Sequence, residues 1–164
     1  MRRNNVCKTI AMVGAILLLA LPTAARATKA GRRSGGDPQF KSLIDRYYVA
    51  WSTLNPDNAA EFYARDASLV FFDIAPLKYN GWAEYKEGVK KNFIDTVSSA
   101  KLTPNDDLKV TRRGGVVWTS VTFHLSGTTK AGAKMEVDGR HTAIWEKQGA
   151  KWVIVHEHLS APMG

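Results

Sequence analysis

Along residues 39–54 the apolar side chains Phe40, Leu43, Ile44, Tyr47, Trp51 and Leu54 recur every three or four positions. That spacing predicts a first helix with one apolar face. Asn55-Pro56 then offers an N-cap followed by a proline suited to a first helical position, and a short second helix is expected to about Tyr63. Residues 67–72 (ASLVFF) are mostly apolar and predict a strand, and residues 73–80, with Pro76, predict a loop. Gly81 leads into a third predicted helix with Trp82, Tyr85, Val89, Phe93 and Val97 on one face.

After Ser99 the period changes from that of a helix to that of a strand. Strands are predicted over residues 102–110, 116–126, 134–146 and 151–160, with turns at Arg112-Arg113-Gly114-Gly115, Lys130-Ala131-Gly132 and Gln148-Gly149-Ala150. In the second strand Val117, Val121, Phe123 and Leu125 share one parity; in the third, Met135, Val137, Ala143 and Trp145 do. Helices first and a strand meander afterwards imply an α+β fold, a cone-like curved antiparallel sheet wrapped around three N-terminal helices.

The first residues change the charge picture. Arg2, Arg3 and Lys8 precede an apolar run from Ile10 to Leu21, and Ala25-Arg26-Ala27 forms a small-x-small site. Residues 1–27 are therefore expected to be a signal peptide, giving an exported protein, periplasmic or secreted, with no stable membrane anchor after cleavage. Residues 28–38 (TKAGRRSGGDP) are expected to be a disordered leader, and residues 39–164 one domain. Four of the 23 basic residues would leave with the signal, so the net charge falls from +8 to +4. Such a charge, without a basic stripe, argues against nucleic acid as a partner. Cys7, the single cysteine, would leave as well, which excludes disulfides, thiol nucleophiles and cysteine-ligated metals from the domain.

The closing hairpin carries the densest chemistry. Its return strand ends in His156-Glu157-His158, and strand side chains alternate between faces. If Trp145 opposes Trp152, His141 shares a face with His156. If the turn is longer or a bulge intervenes, Trp145 opposes Val153, and His141, Ala143, Val155, Glu157 and Leu159 share a face. A one-residue slip exchanges every side chain. The apolar parity of the preceding strands must face the helices and includes His141, which favours the second register.

On the quoted runs LIDRYY, FYARDAS and TAIWEKQGAKWVIVHEHLSAP the chain resembles the nuclear transport factor two-like superfamily, close to its SnoaL-like and ketosteroid-isomerase-like branches. The last run is also similar to the end of the calcium/calmodulin-dependent kinase association domain. The resemblance implies a cone fold with a cavity between helices and sheet, and often a homodimer formed through the sheet. It places Tyr47 at the isomerases' oxyanion-donating tyrosine, Phe71 at their catalytic aspartate and His141 at their second oxyanion donor; Asp73 lies two residues beyond Phe71. The arginines that line the kinase domain's cavity correspond to Ala143 and Leu159.

The expected site follows. Tyr47, Asp73, His141 and Glu157 are the candidate catalytic groups, with Glu157 or Asp73 as base, His141 as shuttle and Tyr47 as oxyanion donor. The His141–Glu157 pair reads equally as a ligand anchor or as a mutually satisfied buried pair. Trp51, Phe71, Trp82, Tyr85 and Leu159 are candidate ligand-binding residues for a small apolar organic molecule, with no cofactor and no metal. Trp118, His124, Arg140, His156 and His158, together with Trp152, are expected on the outer face as a homodimer surface. The function classes left open are a cofactor-free isomerase, cyclase or dehydratase, a binding module and an assembly domain.

Overall fold

The computed structural model describes residues 37–163. The predicted signal peptide and nearly all of the predicted leader lie outside the described residues. The last two leader positions do not: Asp37 caps the first helix, accepting from the Gln39 amide at 3.1 Å, and Pro38 opens it. Asp37 is also tied to Arg112, whose Nε donates to it at 2.9 Å, so the start of the helix is fixed to the sheet.

Helix α1 (Pro38–Ser52) is followed by α2 (Pro56–Ala59), a single 3-10 turn (Ala60–Phe62), β1 (Val70–Phe72), β2 (Tyr79–Asn80) and α3 (Gly81–Asn92). Another 3-10 turn (Ile94–Thr96) leads to β3 (Val97–Pro104), β4 (Lys109–Arg113), β5 (Val116–Thr129), β6 (Lys134–Gln148) and β7 (Lys151–Ser160). Leu54 was expected inside the first helix; it lies just beyond, with φ of 57°, in the left-handed region that ends a helix. The stripe predicted to continue α3 through Val97 breaks after Asn92, and Val97 instead begins β3. The strand predicted over 102–110 is two strands interrupted after Pro104, both pairing with β5. No helix among the described residues is long and apolar enough to cross a membrane.

The sheet runs in the order β2-β1-β7-β6-β5-β3, with β4 beside β5. It is curved and unclosed, and it is mixed rather than antiparallel: β1 joins β7 in parallel, with Phe71 opposite Glu157. A strand that arrives from the helical layer has no hairpin to force it antiparallel. Helix α1 lays Phe40, Leu43, Ile44, Tyr47, Tyr48 and Trp51 on the concave face, against Val117, Val121, Phe123, Ala143, Trp145 and Ile154. The buried Trp145 indole donates to Thr119 Oγ1 at 3.0 Å, so this large core side chain leaves no polar atom stranded.

The hairpin register matches neither sequence alternative residue for residue. Near the turn Gln148 opposes Lys151 and Trp145 opposes Ile154; after a bulge between Ile144 and Trp145, His156 opposes Ile144 and Glu157 opposes Ala143. The face assignment of the second register still emerges, because His141, Ala143, Glu157 and Leu159 are all buried on the concave side. Val155 takes up the extra residue and is only half-buried. The bulge also reverses parity towards the turn. Trp152, expected on the outer face, packs on Phe40 with ring centroids 5.3 Å apart.

Candidate functional site

Glu157 is fully buried on the concave face, and its carboxyl is the hub of a sealed polar cluster. Tyr63 donates to Oε1 at 2.7 Å and Tyr47 donates to Oε2 at 3.1 Å. The two hydroxyl oxygens are 3.3 Å apart, and the Trp51 indole donates to that of Tyr63 at 3.2 Å. Each phenol has one proton, so with the indole supplying Tyr63 from behind, both protons point at the carboxyl. His141 is 1% exposed, lies stacked on the Tyr47 ring, and meets the Tyr48 hydroxyl through Nδ1 at 3.2 Å. Its Nε2 is 3.3 Å from Glu157 Oε2 but has no hydrogen-bond partner of acceptable geometry. Burial, reinforced by Glu157, pushes the hydroxyls of Tyr47, Tyr63 and Tyr85 well above the ordinary phenol range. Tyr48 is raised by the same causes.

A cavity of about 280 Å³ lies above this cluster, between α1, α3, the 73–75 segment and the sheet. Its walls include Tyr47, Trp51, Tyr85 and Leu159 near the cluster and Phe93, Leu102, Phe123, Leu125, Met135 and Val137 further along the sheet. Asp73 also lines it. Parallel pairing puts Phe72 beside His158, so the next residue, Asp73, leaves the end of β1 close to Leu159. One carboxyl oxygen of Asp73 accepts from the Ile74 amide at 2.7 Å. Burial pushes the Asp73 carboxyl up to about 6; Glu157 adds to the rise, and the Ile74 amide, His141 and the Tyr85 side chain oppose it.

The four candidate catalytic residues are therefore divided. Tyr47 and Asp73 reach the cavity wall, whereas Glu157 and His141 lie behind it, sealed by tyrosines, and are not lining residues. They were expected to face the cavity because they share its face of the sheet. What covers them is the helical layer, which strand parity does not report. The candidate ligand residues divide in the same way. Trp51, Tyr85 and Leu159 line the cavity, while Phe71 and Trp82 pack behind it, Phe71 edge-on to Tyr63 and Trp82 stacked on Tyr63 at 4.2 Å. Tyr63 and Tyr48 are the cluster members not singled out as site residues. Their sequence signal was only that of core aromatics.

The outer-face residues lie on the other side of the sheet. Trp118 is 37% exposed, beneath the Arg113 guanidinium. Arg140 and His158 are exposed, and His156 is half-buried with Nδ1 spent on the Val70 carbonyl at 2.7 Å. His124 is held between Asp138 at 2.8 Å and Glu136 at 2.7 Å, and these partners raise its pKa.

The SnoaL-like domain family matches residues 41–164. The chain belongs to this family. Its fold is also that of solved structures of the wider nuclear transport factor two-like superfamily. A superfamily protein from Salmonella enterica serovar Typhimurium superposes with a TM-score of 0.68 at 19% identity, over 77% of this chain and 91% of that one. A protein of Xanthomonas campestris, described as a proposed calcium/calmodulin-dependent protein kinase II association domain, gives 0.66 at 23% identity, over 81% and 93%. A proposed dehydratase of the same superfamily from Streptomyces avermitilis gives 0.67 at 10% identity, over 77% and 96%. At these identities the likeness establishes fold alone. No protein of curated function matches the SnoaL-like chain.

Proposed function

We propose that this SnoaL-like domain binds a small, largely apolar organic molecule in the cavity above the Glu157 cluster. The observation that carries the reading is the cavity itself: apolar side chains on most of its wall and one carboxyl, Asp73, at its edge. Glu157 and His141 then serve as the rigid floor that fixes Tyr47, not as groups that meet the ligand. Native mass spectrometry of the purified protein, alongside Val137→Trp, tests this. A small molecule carried by the wild type and lost from the variant supports it; a fragment screen with no binder that Val137→Trp excludes overturns it.

One observation favours a second reading. A carboxyl that burial pushes up to about 6 at the edge of an apolar cavity is poised for general base catalysis. Asp73 would take a proton next to a substrate carbonyl and return it, as in cofactor-free isomerases, cyclases and dehydratases. Tyr47 is a poor oxyanion donor in this arrangement, since its proton is engaged by Glu157. Asp73→Asn separates the readings: turnover falls at least about a hundredfold with binding retained if Asp73 is the base.

Export through the N-terminal segment and homodimerisation through the outer sheet face complete the proposal. The first is supported by the charge and hydropathy of residues 1–27, the second by Trp118 and His158 standing exposed on a sheet face. N-terminal sequencing of the mature protein and sedimentation velocity test them in turn.

A further inference from the structure

We infer that the cavity recognises a protonated amine carried on an apolar body of one or two rings. The inference rests on the cavity-binding reading above and names the ligand's chemical class.

The wall chemistry is one-sided. Among the described residues no lysine, arginine or histidine lines the cavity, and Asp73 is its single acid. The rest of the polar or polarisable surface comes from the rings of Tyr47, Trp51, Tyr85, Phe93 and Phe123, the Met135 thioether and the neutral Asn92 amide, which donates to the Tyr79 hydroxyl at 3.2 Å. Aromatic faces attract cations, most strongly where water is excluded. A carboxyl beside them adds a charge-assisted acceptor for an ammonium N–H. An anionic ligand would meet Asp73 with no basic group to offset the repulsion. A neutral alcohol could donate to Asp73 but would leave the ring faces without a cation.

The groups facing Asp73 point the same way. From β7, Glu157 disfavours a second negative charge at Asp73; from β6, His141 opposes this in part, and from α3 the Tyr85 side chain does so. Asp73 in turn weighs on Tyr85 and on Tyr79 of β2. An ammonium at the cavity wall would relieve the strain that burial imposes on the Asp73 carboxyl. A volume of about 280 Å³ accommodates roughly two fused rings with a short arm at interior packing density.

Three isosteric probes test this on the full chain: 1-naphthylmethylamine, 1-naphthalenemethanol and 1-naphthoic acid, by titration calorimetry at pH 7.5 and 5. The amine is expected to bind about tenfold more tightly than the alcohol at pH 7.5, and the acid most weakly. The preference should shrink at pH 5, where Asp73 is largely protonated. In Asp73→Asn it should vanish while alcohol binding persists. If the alcohol binds as tightly as the amine, the cation preference fails and the binding cavity stands. A preference unchanged at pH 5 overturns the role of Asp73 even if Asp73→Asn does not fold. If none of the three binds, the cavity reading falls and this inference with it.

Discussion

Glu157 accepts two tyrosine protons with no water-facing oxygen, so its removal strands two donors in the core. Glu157→Gln keeps the shape but turns an NH2 toward one phenol. It is expected to cost about 1–3 kcal/mol in urea unfolding, and a loss under 0.5 would mean the hydroxyls find other partners. Asp73 behaves in the opposite sense to an ion-paired acid. Its folded pKa is raised to about 6, so the native state holds the proton more tightly than the unfolded chain does. This contribution favours the fold below the unfolded pKa and declines as pH rises towards 6. Asp73→Asn should remove that slope and stabilise the protein at pH 7 by on the order of 1 kcal/mol, allowing for partial exposure. Thermal melts of both proteins from pH 4 to 8 would show it. Gly139 is a third pressure point: a Cβ there would sit 2.2 Å from the Phe123 ring, which itself lines the cavity. Gly139→Ala should cost about 1–3 kcal/mol and weaken binding, because the ring can move only into the cavity or the helical layer.

The element scale shows what the sequence carries and what it does not. Period-two patterning identified β5, β6 and β7 and the side of the sheet on which His141 and Glu157 lie. Those faces are set by burial, which hydropathy reports directly. The bulge was legible only as an alternative, because a bulge costs one residue and leaves no unique composition. Two further features were not legible. Parallel pairing of β1 with β7 depends on how the helices return the chain, and the sealing of Glu157 depends on Tyr47 and Tyr63 reaching it from elements 110 and 94 residues away. Tyr48 and Tyr63 carry no local mark that separates a cluster member from a core aromatic. The hairpin turn itself was clear: Gly149 has φ of 60° with open space around it. Gly149→Val should therefore destabilise by about 1–2 kcal/mol through backbone strain alone, with cavity binding unchanged, as a denaturation curve and a ligand titration together would show.

At the scale of the whole molecule the two faces of the sheet have separate tasks. The concave face is spent on the core, the cluster and the cavity. The convex face displays Trp118 and Arg113, the His124–Asp138–Glu136 group and His158 beside Phe72. Trp118→Glu should convert a homodimer to monomer in sedimentation velocity without loss of ligand binding; an unchanged assembly state would remove this face as the interface. His124 adds a pH dependence of the same sign as that of Asp73, in a higher pH window. Its pKa is raised by two carboxyls, so what it contributes is present below the free-imidazole range and is lost as pH rises through its folded pKa.

The protons that Tyr47 and Tyr63 turn towards Glu157 are shielded from solvent on every side. Protons so enclosed exchange with water only when the surrounding layer opens. They should stand as separate downfield lines in a proton spectrum of the unlabelled protein. Because Tyr47 presents its ring to the cavity and its hydroxyl to the cluster, those lines form an intrinsic reporter: a molecule entering the cavity shifts them, and their exchange rate clocks how often the helical layer lifts from the sheet.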